Sequence, residues 1–201
     1  ALYRYYQKTG GEEKWVPVKA ETDLSTIKPT FITVLSLDNL NTTKADEPTR
    51  ELLASVKYYG PMYFDLDSSD IEESIDGAKE LVARLLKEGL QEADLEIYLS
   101  GKKGLHILIS PLCFMEKQQP VQYLPAIYKE LAFKLASPTV DFAVYTARTG
   151  RMLRTCYNIR ENGNYRVPIS LTELQALTPE LYSELCKAPR AALVTHPTFS
   201  A

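Results

Sequence analysis

The order of hydrophobic periodicities between residues 61 and 146 limits the fold more than any other feature of the chain. Met62 to Asp67 is a short apolar run with carboxylates at its end, and it predicts a strand. Ser69-Asp70-Ile71-Glu72 has the spacing of a capping box, with Ser69 placed to take a backbone N–H and Glu72 to reach back. Ile71, Ile75, Ala78, Leu81, Val82 and Leu85 then recur at helical spacing, predicting a helix with one apolar face that stops at Gly89. Leu95, Ile97 and Leu99 alternate with polar neighbours, Gly101-Lys102-Lys103-Gly104 makes a tight connection, and residues 105–109 return as a strand. Leu124, Ile127, Tyr128, Leu131 and Leu135 mark a second helix, which tolerates Pro125 in its first turn and ends at Ser137-Pro138. Residues 140–145 predict the closing strand.

The resulting order, β-α-β-β-α-β, is the ferredoxin-like arrangement shared with RNA-recognition (RRM-like) modules. A sheet of this kind carries both helices on one face and leaves the other open, with its first strand between the third and the fourth. The fold class expected is therefore α+β. Residues 58–170 form the core, residues 1–57 an N-terminal α/β module packed beside it, and residues 171–201 a helical tail. In the N-terminal part, Trp15-Val16-Pro17-Val18 and residues 31–36 predict strands, and residues 42–50 a polar loop leading into a short helix. Short helices are expected near 172–177 and 179–187. With 45% hydrophobic and 24% charged residues, the composition argues against disorder, and no apolar run approaches a membrane span, so no membrane partner is expected. Ala1-Leu2-Tyr3-Arg4 has neither the charged nor the apolar region of a signal peptide. Cys113, Cys156 and Cys186 are odd in number and widely spaced, which argues against a disulfide framework and a cysteine zinc site. A reducing cytoplasm is the compartment expected, the host's if the chain comes from a mobile element.

The formal net charge is −3, so no global positive field steers phosphate toward the chain. Residues 144–166 nonetheless hold Arg148, Arg151, Arg154, Arg160 and Arg166 against one acid, Glu161. Such a cluster reads first as a solvated loop face and, beside an acidic site, as a partner for phosphate. An acidic site is at hand. Asp65 and Asp67 lie two apart on a strand and share a face, with Phe64 and Leu66 on the other. Two carboxylates at 4 Å repel by about 4 kcal/mol at an effective dielectric near 20, so a proton, an arginine, solvent or a divalent cation must offset them. Hard cations take carboxylate oxygen. A polar strand end facing water has the same pattern, as Asp94-Leu95-Glu96 does. The topology adds Asp141, which opens the strand beside the first, so three carboxylates are expected to converge on the open face. His106, one of two histidines with His196, lies on the strand at the other flank. It follows Ser100-Gly101-Lys102-Lys103-Gly104, a loop of small residues and two cations whose exposed N–H groups suit a phosphate. The same residues make an ordinary hairpin turn, and the loop is not a Walker A motif, since no G-K-[ST] precedes a helix.

Taken in order, these segments resemble the archaeo-eukaryotic primase superfamily, which includes primase-polymerases and the polymerase domains of bacterial end-joining ligases. Met62-Tyr63-Phe64-Asp65-Leu66-Asp67 resembles its first motif, hydrophobic residues followed by D-x-D/E. Ser100-Gly101-Lys102-Lys103-Gly104-Leu105-His106 is similar to S-G-[RK]-[RK]-G-x-H, and Val140-Asp141 to the third motif. Leu153-Arg154, Asn158-Ile159-Arg160 and Tyr165-Arg166-Val167-Pro168-Ile169 resemble the basic segment and the Y-[KR]-V-P element downstream. The resemblance spans about residues 58–170, and the family often has Lys where Arg154 falls. It implies a nucleotidyltransferase, a DNA primase or primase-polymerase, using two Mg²⁺ or Mn²⁺ ions held by Asp65, Asp67 and Asp141. Ser100, Lys102, Lys103 and His106 would bind the triphosphate of an incoming (d)NTP, with Arg154 and Arg160 adding charge-assisted bonds. Arg148 and Arg151 would lie near a single-stranded DNA template. Starting a new chain needs a second nucleotide site, implying a helicase or primer-initiation element elsewhere on the chain or on a partner. Read without the resemblance, Arg166 is a solvated strand residue and Asn158 a turn former. Two other functions fit parts of the pattern. A non-catalytic single-stranded nucleic-acid-binding module would stack bases on sheet tyrosines. A D-x-D glycosyltransferase or two-metal nuclease would use the carboxylates but leave the Ser100–His106 segment unexplained.

Overall fold

Two antiparallel sheets organise the protein, and the chain passes between them more than once. The computed structural model describes residues 2–7, 16–38, 56–117, 119–135, 137–145 and 152–191. The elements run β1 (Leu2–Gln7), β2 (Val16–Lys19), α1 (Leu24–Ile27), β3 (Phe31–Thr33), β4 (Ser36–Asp38), β5 (Lys57–Tyr59) and β6 (Met62–Asp67). There follow α2 (Ile71–Lys87), β7 (Leu95–Leu99), β8 (Gly104–Ile109), β9 (Val121–Gln122) and α3 (Leu124–Leu135). The order closes with β10 (Met152–Arg154), β11 (Val167–Ile169), α4 (Leu171–Gln175) and α5 (Pro179–Leu185). The class is α+β, as the periodicities predict. Among the described residues no helix is long and apolar enough to cross a membrane.

The four-stranded sheet has the order β11-β7-β8-β6. Phe64 and Leu66 stand opposite Ile107 and Leu105 across β6 and β8, on the face that α2 covers with Ile75, Ala78, Leu81, Val82 and Leu85. The outer edge of β6 meets the segment after α3: Leu66 bridges Val140, Asp67 N–H donates to Thr139 O at 3.0 Å, and Asp141 N–H to Asp65 O at 2.8 Å. The first strand of the motif therefore lies between the third and the fourth, as expected.

Three expectations need correction. The strand expected over 140–145 is reduced to that single bridge. Asp141 turns its carboxylate back onto the Ala143 N–H at 2.8 Å, and Phe142–Tyr145 winds into a 3₁₀ turn that buries Val144 and Tyr145. The helix cap is Asp70 rather than Ser69: the Asp70 carboxylate accepts from Glu72 N–H at 2.9 Å, and the helix begins one residue later than a Ser69 cap would set it. The face opposite α2 is not open. Tyr63, Asp65, Tyr98, His106 and Leu108 are all buried on it, with Tyr145 stacked on Tyr63 at 5.2 Å and its hydroxyl donating to the Tyr63 carbonyl.

The other sheet has seven strands in the order β10-β3-β1-β4-β5-β9, with β2 on the free edge of β1. Residues 31–36, expected as one strand, are two: β3 and β4 part at the buried Val34 and Leu35 and pair separately with β1. β1 itself has no alternation to announce it and is not foreseen from the sequence. β5, β9 and β10 join this sheet from beyond residue 56, and β10 sets Arg154 opposite Phe31. The helices expected near 172–177 and 179–187 are α4 and α5, each opened by a side-chain cap, Ser170 and Thr178. The loop and short helix expected over 42–50 lie outside the described residues.

Candidate active site

Strand register assembles the centre of the site. Asp65 on β6 is paired with His106 on β8, and His106 in turn with Tyr98 on β7, so the three side chains share the face turned away from α2. His106 Nε2 lies 3.6 Å from Asp65 Oδ1, and both residues are buried. On the other side of the ring, Arg166 Nε donates to His106 Nδ1 at 3.2 Å. The Arg166 guanidinium lies over the Tyr98 ring, 3.5 Å from its centroid, and its Nη1 reaches Cys156 Sγ at 3.7 Å. The Tyr98 hydroxyl donates to Glu96. Burial, and then the charge of Glu96, pushes the Tyr98 phenol far above its ordinary range, against the opposing pull of Arg166.

Arg166 is thus buried rather than a solvated strand residue. The signal was in the alternation: Pro168 pairs with Tyr98, so Arg166, two residues earlier, shares the face of Tyr98.

The three carboxylates are brought together only in part. Asp65 and Asp141 are joined through the main chain, but Asp141 spends an oxygen on Ala143 N–H, while Asp65 faces His106. Asp67 is exposed at the end of β6, opposite Gly104. Among the described residues no three His, Cys, Asp or Glu side chains gather as a metal-holding group. In kind, three carboxylates are the hard oxygen donors that Mg²⁺ or Mn²⁺ takes, and the exposed Asp67 leaves the strand end accessible.

The Ser100–Gly104 turn has its own internal order. Ser100 Oγ accepts from Lys102 N–H at 3.3 Å and Gly104 N–H at 3.1 Å, so these two N–H groups face inward instead of presenting themselves to a phosphate. Lys102 is exposed and Lys103 half-buried. Arg160 Nη1 donates to Ser100 O at 3.1 Å, and Asn162 Nδ2 to Gly101 O at 2.9 Å, tying the turn to the segment before β11. Asn158 reaches the Lys28 and Pro29 carbonyls, at 3.1 and 3.0 Å.

Between the two sheets runs a cleft of about 1010 Å³, lined by Glu96, Tyr98 and Leu108 from one and Ile32, Val34 and Ser36 from the other. Arg4, Arg154 and Arg166 also line it. Arg4 Nε donates to Thr33 O at 2.7 Å, and burial lowers its guanidinium to about 10. No motif singled out Arg4. Arg154 stacks over Phe31 at 4.7 Å, and its Nε is buried without a hydrogen-bond partner among the described residues. Burial, then the neighbouring charge of Arg160, lowers its pKa. Arg148 and Arg151 lie outside the described residues.

No protein-family profile matches this chain. No curated protein matches it by sequence. Among solved structures, the polymerase domain of Mycobacterium tuberculosis Ligase D, in complex with DNA, is similar over 78% of this chain, with 17% identity and a TM-score of 0.46. The similarity covers 57% of that domain, less than two thirds of its length.

Proposed function

We propose that this chain is the catalytic domain of a DNA primase or primase-polymerase of the archaeo-eukaryotic type. It would join nucleotides from (d)NTPs on a single-stranded DNA template and release pyrophosphate. One observation carries the reading: strand pairing brings Asp65, His106 and the main chain of Asp141 together from three separated segments. Asp65 stands opposite His106, and the Asp141 N–H is bonded to the Asp65 carbonyl. Neither a solvated strand end nor an ordinary hairpin turn accounts for that meeting. The buried Arg154 Nε, without a partner among the described residues and beside a cleft with two further arginines, adds a demand for an anionic oxygen.

On this reading Asp65, Asp67 and Asp141 would hold two Mg²⁺ or Mn²⁺ ions. The chemistry these supply when bound is a lowered pKa for the attacking 3′-hydroxyl and charge neutralisation at the leaving pyrophosphate. The chain's own side chains bind and orient. Lys102 and Lys103 bring cations to the triphosphate from a turn that Ser100 holds in shape. Arg160, bonded to the Ser100 carbonyl, carries its charge to the same turn, and Arg154 turns Nε to a phosphate oxygen. His106 donates to an oxygen arriving beside Asp65. The alternative of a stacking module is disfavoured by Tyr63 and Tyr98, which are buried and offer no open platform to bases.

The test is incorporation of labelled nucleotides on single-stranded DNA, with and without a primer, in Mg²⁺ or Mn²⁺. Asp65→Ala is expected to abolish incorporation while leaving the circular dichroism spectrum unchanged. Full activity in that variant overturns the assignment. Incorporation without primer marks a primase, and incorporation only with primer marks a polymerase core that needs an initiation element from elsewhere.

A further inference from the structure

We infer that Arg166 is a positioning residue that fixes the His106 imidazole in the tautomer carrying its proton on Nε2. A guanidinium has donors and no acceptor, so the bond from Arg166 Nε at 3.2 Å requires a lone pair on His106 Nδ1. A neutral imidazole with that lone pair carries its hydrogen on Nε2, the nitrogen 3.6 Å from Asp65 Oδ1. The arrangement is enclosed, since Arg166 is 6% exposed and both His106 and Tyr98 are 8% exposed. Tyr98 supports the guanidinium plane from below, and Cys156 Sγ meets its Nη1, so Arg166 is held by contacts besides the one to His106.

Two consequences follow for the carboxylate side of the ring, and both rest on the nucleotidyl-transfer reading. A phosphate oxygen arriving beside Asp65 meets an N–H donor, where the other tautomer would meet it with a lone pair. An Nε2 that carries a proton cannot ligate a cation, so cation binding is left to the carboxylates. The tautomer itself does not depend on that reading.

The experiment uses the ¹⁵N-labelled full chain with His196→Gln, which leaves one of the two imidazoles. Long-range ¹H–¹⁵N correlation at about pH 8, above the ordinary histidine value, reports which nitrogen bears the proton. The expected pattern is a pyridine-like Nδ1 and a pyrrole-like Nε2. Arg166→Met is expected to move the ring to a mixture of tautomers and to raise the KM for the nucleotide by about tenfold, with kcat changed less. Arg166→Lys, whose ammonium is also a pure donor, is expected to keep the pattern and recover most of the KM. A proton on Nδ1 in the otherwise unaltered chain overturns the inference, as does an unchanged pattern in Arg166→Met. Should that variant fail to fold, the unaltered and Arg166→Lys spectra decide. If the pattern holds but no nucleotide is incorporated, the nucleotidyl-transfer reading falls and the positioning role stands.

Discussion

Space at single residues decides how the site is held. Gly104 opens β8 directly opposite Asp67, and a Cβ there would lie 2.4 Å from the Leu66 carbonyl oxygen. That oxygen is main chain and cannot swing aside. Gly104→Ala is therefore expected to cost about 1–3 kcal/mol in urea unfolding and to weaken nucleotide incorporation by displacing the strand end. Gly101, at φ +79° with the Tyr165 carbonyl 2.5 Å from its would-be Cβ, is bound by both conformation and space. At this scale the sequence was legible where alternation within a strand settles a face, as for Asp65 and His106. It was less so for Arg166, because a charged residue on a short strand looks solvated until its cross-strand tyrosine is known. Arg4 gave no sign at all: its place on the cleft follows from the pairing of β1 with β2, β3 and β4, which no local pattern announces.

Local chemistry fixes where the elements begin and end. The α2 cap separates two neighbouring candidates: Asp70→Ala is expected to lose about 1 kcal/mol of stability, and Ser69→Ala to stay within about 0.5 kcal/mol in the same denaturation measurement. The sequence showed the helix and its apolar face plainly, since six apolar positions share one spacing. It misplaced the cap by one residue because two good capping side chains stand side by side. The strand expected over 140–145 failed for a related reason. Val140, Val144 and Tyr145 are buried, but Asp141 caps the following turn, and the burial of Val144 and Tyr145 is reached through a 3₁₀ conformation. Short apolar runs do not distinguish the two outcomes.

At the scale of the whole molecule, side-chain contacts fasten the C-terminal helices to the four-stranded sheet. Arg190 donates to Glu173 at 2.8 Å and to the Pro168 carbonyl at 3.3 Å. The bond from Arg190, with help from Ser170, holds the Glu173 carboxyl below its ordinary 4.5. A carboxyl lowered by folding contributes stability that is complete above that ordinary value and fades as the pH falls through the lowered one. The pair is partly exposed, so its contribution is at most about 1 kcal/mol. Glu173→Gln is expected to destabilise the protein near neutral pH by that order, with the loss shrinking as the pH falls below 4.5, read from urea midpoints. The sequence announced the α+β class and the place of β6 between β8 and the segment at Val140, because the β-α-β-β-α-β order implies it; β11 beside β7 was not foreseen. The seven-stranded sheet was largely illegible, because its pairings join residues 2–7, 57–59, 121–122 and 152–154, whose partners no local pattern can name.

The interleaving of the two sheets also bears on how the chain comes apart. β5 belongs to one sheet and β6 to the other; β8 lies in the second, β9 and β10 return to the first, and β11 goes back again. A cut anywhere between β6 and β10 therefore divides the strands of both sheets between the two fragments. The two walls of the cleft are thus interleaved along the chain, and the arginines they contribute are expected to be lost together in one unfolding transition.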